Sequence, residues 1–173
     1  MARKPTRLLR IIISPHFYKE LFRWLVYYIY EHVLPLKNLR VGTNLEIHPT
    51  VSLRFENNIH LGNNIVLDMN CCLWASPNSE ISIGDNSGVG PGTIIISSNH
   101  SFFSKQPYNE QPLNEKNIEI GRNVWIGANS SILAGAHIGD NAIIGSGSVI
   151  TGRVPEDSIV VSGSRKLSMN KRR

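Results

Sequence analysis

The sequence predicts an all-β chain, a parallel β-helix with a short helical segment in front of it. Three observations carry this: a six-residue period, the residues that punctuate it, and one polar interruption. From Ile120 to Pro155, isoleucine recurs at 120, 126, 132, 138, 144 and 150, and Val124, Ser130, Ala136, Ala142, Ser148 and Val154 each follow four places later. Residues six apart in a helix advance by about 600° and scatter over several faces, whereas an even spacing keeps them on one side of a strand. Gly at 121, 127, 139 and 145, with Asn or Gly at 123, 129, 135, 141 and 147, supplies tight bends between the strands. Strand and bend repeating every six residues describe a solenoid whose flat sides each use one hexad. The aliphatic residue fills the inside and the small residue four on lets the wall turn.

The same phase extends upstream. VGTNLE, IHPTVS and LRFENN occupy 41–58, Ile59 and His60 break the phase, and LGNNIV, LDMNCC and LWASPN follow from 61. After a slip at 79–82, IGDNSG, VGPGTI and IISSNH run from 83 to 100. Coils therefore start at 41, 61, 83, 120 and 138, about five in all. Residues 101–119 (SFFSKQPYNEQPLNEKNIE) interrupt them as a polar, irregular loop. Solenoids tolerate such loops because closing them costs little, and loops of this kind commonly carry function.

The runs IGRNVWIGANSSILAGAHIGDNAIIGSGSVIT, LGNNI and IGDNSGVGPGTIIISSNH resemble the hexapeptide-repeat acyltransferases. The closest likeness is to the sugar O-acetyltransferase branch with its maltose, galactoside and polysaccharide acetyltransferases. The resemblance spans about Val41 to Gly163. It implies a left-handed β-helix, a homotrimer with sites between subunits, acetyl-CoA as co-substrate with no metal, and transfer to a sugar hydroxyl in polysaccharide assembly. Other acyl transfers on this fold include N-acylation of an amino sugar.

The resemblance also implies roles residue by residue. SSNHSF places His100 at the family's general base, which draws a proton from the acceptor hydroxyl as that oxygen attacks the thioester. Imidazole suits such a task near neutral pH. Asn70 and Asn78 match positions that contact acceptor hydroxyls, although many relatives carry a carboxylate where Asn78 stands. Trp125 matches a tryptophan lining the coenzyme groove, Ala128 a backbone contact to the pantetheine arm, and Ser146 and Thr151 later rungs along it. The usual Ala-Gly-x-Pro-Ala-(Lys/Arg) ending is replaced by Val161-Ser162-Gly163-Ser164-Arg165-Lys166, where Arg165 and Lys166 retain charge for the coenzyme phosphates. The remaining histidines read as surface residues, with His137 at a bend.

Ser14-Pro15 is a helix start, Ser as cap and Pro as first residue. From there a helix runs to about Leu34, before Pro35. His16, Lys19, Glu20, Arg23, Tyr27, Tyr30 and Glu31 fall in one polar stripe, and apolar side chains cover the rest. The charges rule out a bilayer span, which needs roughly 20 mainly apolar residues. Two roles stand: a cap on the open end of the solenoid, or an amphipathic anchor on anionic lipid. The organisation is thus a helical segment 1–40, a β-helix 41–163 and a basic tail 164–173.

Charge follows that division. Residues 1–40 carry eight Lys/Arg against two acids, 41–164 five against eleven, and 165–173 five against none. Basic ends on an acidic body suit a phosphate-bearing ligand or surface. No recognisable nucleic-acid motif accompanies them. Adjacent Cys71 and Cys72 point to opposite sides of a strand, one core thiol and one surface thiol in a reducing compartment. The run Leu8–Ile13 is interrupted by Arg10 and lacks a cleavage site, so the expected location is cytoplasmic, at the inner face of the membrane. A zinc carbonic anhydrase on a similar β-helix is disfavoured because no H-x4-H pair lies near His100. A non-catalytic scaffold is disfavoured by the scarcity of outward Thr.

Overall fold

The computed structural model describes residues 11–12, 14–101, 105–161 and 168–169. Three flat faces wind into a triangular prism, the left-handed β-helix. Coil 1 holds β1 (Arg40–Val41), β2 (Glu46–Ile47) and β3 (Ser52–Arg54). Coil 2 holds β4 (Ile59–Leu61), β5 (Val66–Leu67) and β6 (Cys72–Trp74), and coil 3 holds β7 (Ile81–Ile83), β8 (Gly88–Val89) and β9 (Ile94–Ile96). An arm of β10 (Ser98–His100) and β11 (Leu113–Glu115) then leaves the prism. Coil 4 follows with β12 (Ile118–Ile120), β13 (Trp125–Ile126) and β14 (Ser131–Leu133), and coil 5 with β15 (His137–Ile138), β16 (Ile143–Ile144) and β17 (Val149–Ile150). Strands β18 (Arg153–Val154) and β19 (Ser158–Val160) begin a sixth coil, and β20 (Ser168–Met169) pairs antiparallel with β19. There are thus five full coils and a partial sixth, where the sequence period alone fades after Pro155.

Face A stacks β1, β4, β7, β12, β15 and β18; face B stacks β2, β5, β8, β13, β16, β19 and β20; face C stacks β3, β6, β9, β14 and β17. The coil-to-coil pairings within the prism are parallel, and the hexad isoleucines stack in register, Ile83 on Ile120 on Ile138 and Ile95 on Ile132 on Ile150. Ile126, Ile132 and Ile144 are fully buried, as are the small partners Ala136 and Ala142. Each such isoleucine contributes about 2 kcal/mol of burial. The corners are built by Asn: Asn64, Asn86, Asn123 and Asn141 sit at φ 55°, 58°, 54° and 60°. Their amides join successive coils, Asn64 donating to Asn86 at 2.8 Å and Asn123 to Asn141 at 2.9 Å. Glycine precedes these turns because the next coil leaves no room; a Cβ at Gly84 would lie 2.8 Å from the backbone of Gly121.

Several expectations are corrected. The two extra residues of coil 1 fall at a corner, where Phe55 takes φ 54° and Glu56–Asn58 make a 3-10 turn, so Ile59 and His60 belong to β4. His137 is a strand residue on face A, not a bend. The 101–119 segment is not wholly irregular: it closes an antiparallel hairpin in the register Ser98 with Glu115 and His100 with Leu113, and its Ile118–Ile120 stretch is already coil 4. Cys71 is buried and Cys72 half-buried, and burial raises both thiols above their usual range.

Helix α1 (Pro15–Tyr28) starts at Ser14, whose hydroxyl accepts from Phe17 N–H at 3.2 Å. It stops short of the expected end by widening into a π-turn over Ile29–Val33, closed by Leu34 N–H to the Ile29 carbonyl at 2.9 Å. Residues 28–39 meet coil 1: Tyr28 donates to the Pro49 carbonyl (3.2 Å), His32 Nδ1 lies 2.8 Å from the Val51 carbonyl, Ser52 Oγ donates to Glu31 (2.5 Å), and Pro35 and Leu39 are buried. No residue of α1 itself is buried. Among the described residues no helix is long and apolar enough to cross a membrane.

Candidate active site

His100 ends β10 at the root of the arm, on the edge between faces C and A. Opposed residues of an antiparallel pair share a face, so Ser98, His100, Leu113 and Glu115 line one side of the hairpin. The imidazole is exposed and meets Tyr108 edge-to-face, ring centroids 5.1 Å apart. Four of the six histidines are held by oxygen partners: His32 by Val51, His48 by Thr50, His60 by Glu80 and His137 by Glu119. Among the described residues His100 meets the Tyr108 ring and no oxygen partner.

Asn78 sits on the same C/A edge and donates to Glu115 Oε2 at 2.6 Å. This amide is the main cause that holds the Glu115 carboxyl below its usual range. Beneath it Ser76, Ser79 and Ser97 form a buried hydroxyl cluster, Ser79 to Ser97 at 2.7 Å and Ser76 to Ser79 at 2.5 Å, which fixes the corner from which the arm departs. A carboxylate, Glu115 of β11, thus stands against the Asn78 amide. Glu115 and Tyr108, which the sequence reading did not single out, stand against Asn78 and His100. Glu115 is placed by the strand pairing across the arm and Tyr108 by the 3-10 turn Tyr108–Glu110, and no hexad period marks either.

The other expected residues lie elsewhere. Asn70, at φ 58°, takes the corner between faces B and C, and its N–H donates to Thr50 Oγ1 at 2.9 Å. Ala128 and Ser146 occupy that same edge one coil apart, where the Ala128 carbonyl accepts from Gly147 at 2.9 Å. Trp125 stands on face B, 49% exposed, with its indole laid across Gly88; a Cβ there would meet the ring at 2.9 Å. Thr151 follows β17 and so falls on the C/A edge with His100, away from Ser146. Arg165 and Lys166 lie outside the described residues. The expected residues thus fall on two edges of face C: His100, Asn78 and Thr151 on one, with Glu115 beside them, and Asn70, Ala128 and Ser146 on the other. Outward side chains on the intervening face are largely apolar, with Trp74, Ile94, Ile96, Leu133 and Val149 on neighbouring strands. No group of three or more metal-binding side chains is found among the described residues.

The prism of six-residue repeats is the fold shared with solved hexapeptide-repeat proteins. Residues 117–152 match the bacterial transferase hexapeptide (six repeats) model. The galactoside O-acetyltransferase of Escherichia coli K12 is 33% identical over 71% of this chain and 59% of its own length. A maltose O-acetyltransferase structure from Clostridium difficile 630 is 30% identical, with a TM-score of 0.67 over 78% of this chain and 71% of that one. A galactoside acetyltransferase solved with coenzyme A is 28% identical, TM-score 0.70, over 76% and 65% of the two chains. The chain belongs to the hexapeptide-repeat family, in its sugar O-acetyltransferase branch. It spans 59% and 58% of the two galactoside O-acetyltransferases it matches.

Proposed function

We propose that the chain is an acetyl-CoA-dependent O-acetyltransferase acting on a sugar hydroxyl. The observation that carries this reading is the exposed imidazole of His100, without an oxygen partner among the described residues, near Asn78 and Glu115 at the root of the arm. It is supported by relatives named as galactoside and maltose O-acetyltransferases and by the coenzyme A held by one of them.

His100 accepts the proton of the acceptor hydroxyl as that oxygen attacks the thioester carbonyl. The tetrahedral oxyanion then collapses, the C–S bond breaks, and the imidazolium returns the proton to the departing thiolate. Asn78, with Glu115 behind it, and Asn70 hold acceptor hydroxyls. Trp125, Ala128, Ser146 and Thr151 line the coenzyme, and Arg165 and Lys166 meet its phosphates. Because the two half-sites stand on opposite edges of face C, a complete site needs two chains. A homotrimer packed so that edges meet makes three equivalent sites. A role in cell-surface polysaccharide assembly in the cytoplasm fits a saccharide acceptor. The test is to incubate purified protein with acetyl-CoA and a panel of mono- and oligosaccharides while following free thiol. Acceptor-dependent thiol release supports the reading; its absence for every hydroxyl acceptor, with release on an amino sugar, moves the chain to N-acylation.

A further inference from the structure

Seven of the fourteen residues of helix α1 are exposed large apolar or aromatic side chains, and the described residues leave them uncovered. The contacts of Tyr28, Glu31 and His32 fix which side of the helix axis faces coil 1. At 100° per residue the neighbouring arc holds Tyr18, Phe22, Leu25, Val26, Ile29 and Val33, which are between 38% and 66% exposed. The third arc is polar, with Lys19 exposed and Arg23 bonded to Glu20 at 3.1 Å. Docking contacts, apolar surface and charge therefore occupy separate sectors of one helix.

We propose that this apolar arc lies in the headgroup layer of an anionic lipid bilayer, with the helix parallel to the surface. Composition selects the occupant. At 100° per residue Tyr18 lies within the arc and Tyr30, 73% exposed, borders it on the polar side. Side chains with an apolar body and a polar tip are those that settle where hydrocarbon meets water. Charge selects the lipid: Arg3, Lys4, Arg7 and Arg10 precede the helix, and the first forty residues hold eight cations against two acids. A second copy of this chain is a poorer occupant, since symmetry sets the same cationic segments beside one another. An arc of this width and a 14-residue helix suit lying on a bilayer, not spanning it.

The inference does not depend on acetyl transfer, and its test keeps the two apart. Full-length protein is floated with vesicles of phosphatidylcholine alone or mixed with phosphatidylglycerol. The salt is 0.1 M or 1 M, between which the screening length falls from about 10 Å to about 3 Å. Wild type is expected to float with the mixed vesicles at the lower salt and to sediment with neutral ones. Phe22→Glu/Val26→Glu is expected to lower the bound-to-free ratio at least tenfold, roughly the effect of removing two buried apolar side chains. Its Tm, its mass by light scattering and its thiol release with a soluble sugar stay as in wild type. Protein that never floats, or a double variant that floats as well as wild type, overturns the proposal. A double variant of smaller mass also overturns it and assigns the arc to a second copy.

Discussion

Asn78 and Glu115, 37 residues apart in the chain, meet at 2.6 Å and tie the arm to the prism. The Glu115 carboxyl is depressed, first by the Asn78 amide. A depressed carboxylate contributes stability above its unfolded pKa and loses it as pH falls through the folded value, so arm anchoring weakens as pH falls below the ordinary glutamate range. Asn78→Asp reverses the sign. Two facing carboxylates raise one another, and stability is lost as pH rises through the raised value. Melting curves from pH 3 to 8 should show the variant falling progressively below wild type toward neutral pH. Coincident curves would mean that the carboxylate is not held.

His100→Ala should lower turnover by about 10² to 10⁴ while leaving coenzyme affinity nearly unchanged, because the imidazole is asked to move a proton and not to bind the donor. Single-turnover thiol release and calorimetric titration with coenzyme A separate the two. Residual turnover above about a tenth of wild type removes His100 from the chemistry.

Tyr108 packs on His100 with ring centroids 5.1 Å apart and is itself exposed, 69% of its surface open to solvent. Tyr108→Ala is therefore expected to lower kcat by about tenfold, with Tm within a degree or so of wild type. Tyr108→Phe keeps the ring edge and should restore most of the rate. If Tyr108→Phe is as slow as Tyr108→Ala, the phenol hydroxyl acts in its own right.

Gly84 tests how tightly successive coils stack. A methyl group there meets the Gly121 carbonyl carbon and oxygen at 2.8 Å, and backbone cannot rotate aside as a flexible side chain can. Gly84→Ala should cost about 1–3 kcal/mol, read as a lower denaturant midpoint with unchanged slope. A neutral effect would place slack between coils 3 and 4.

What the sequence showed and what it hid follow from the range of the interactions. Ile126 is buried because residues next to it along the chain repeat the same strand and bend, and Asn123 bonds to Asn141 because each occupies the same place in its hexad. Such placements need only local periodicity. Glu115 reaches Asn78 through a hairpin register that no period encodes, so neither it nor Tyr108 stood out. Thr151 was read as a later rung beyond Ser146, yet face C lies between them, because successive corners belong to different edges. The helical segment was legible as amphipathic but not as divided. The π-turn at Ile29–Val33 separates the part that covers coil 1 from the part that covers nothing, and it depends on contacts with β3.

Division of the site between two edges makes a sharper prediction than mass alone. If each site takes His100 and Glu115 from one chain and Asn70, Ala128 and Ser146 from its neighbour, two different inactive variants can repair each other. His100→Ala spoils only the C/A edge. Ala128→Trp fills the half-buried position on the B/C edge and spoils only that one. In trimers assembled at random from equal amounts of the two, a site is intact when its first edge comes from an Ala128→Trp chain and its second from a His100→Ala chain. Each choice has even odds, so about a quarter of wild-type turnover should return in the unfractionated mixture and about a third in trimers holding both variants, each of which has one intact site of three. Mixing without subunit exchange should return none, which controls for trace wild-type enzyme. Co-expressed variants with different tags, purified for both, supply the mixed assemblies. If doubly tagged protein is recovered and remains inactive, both half-sites must serve one chain, and the proposal that sites form between chains is wrong.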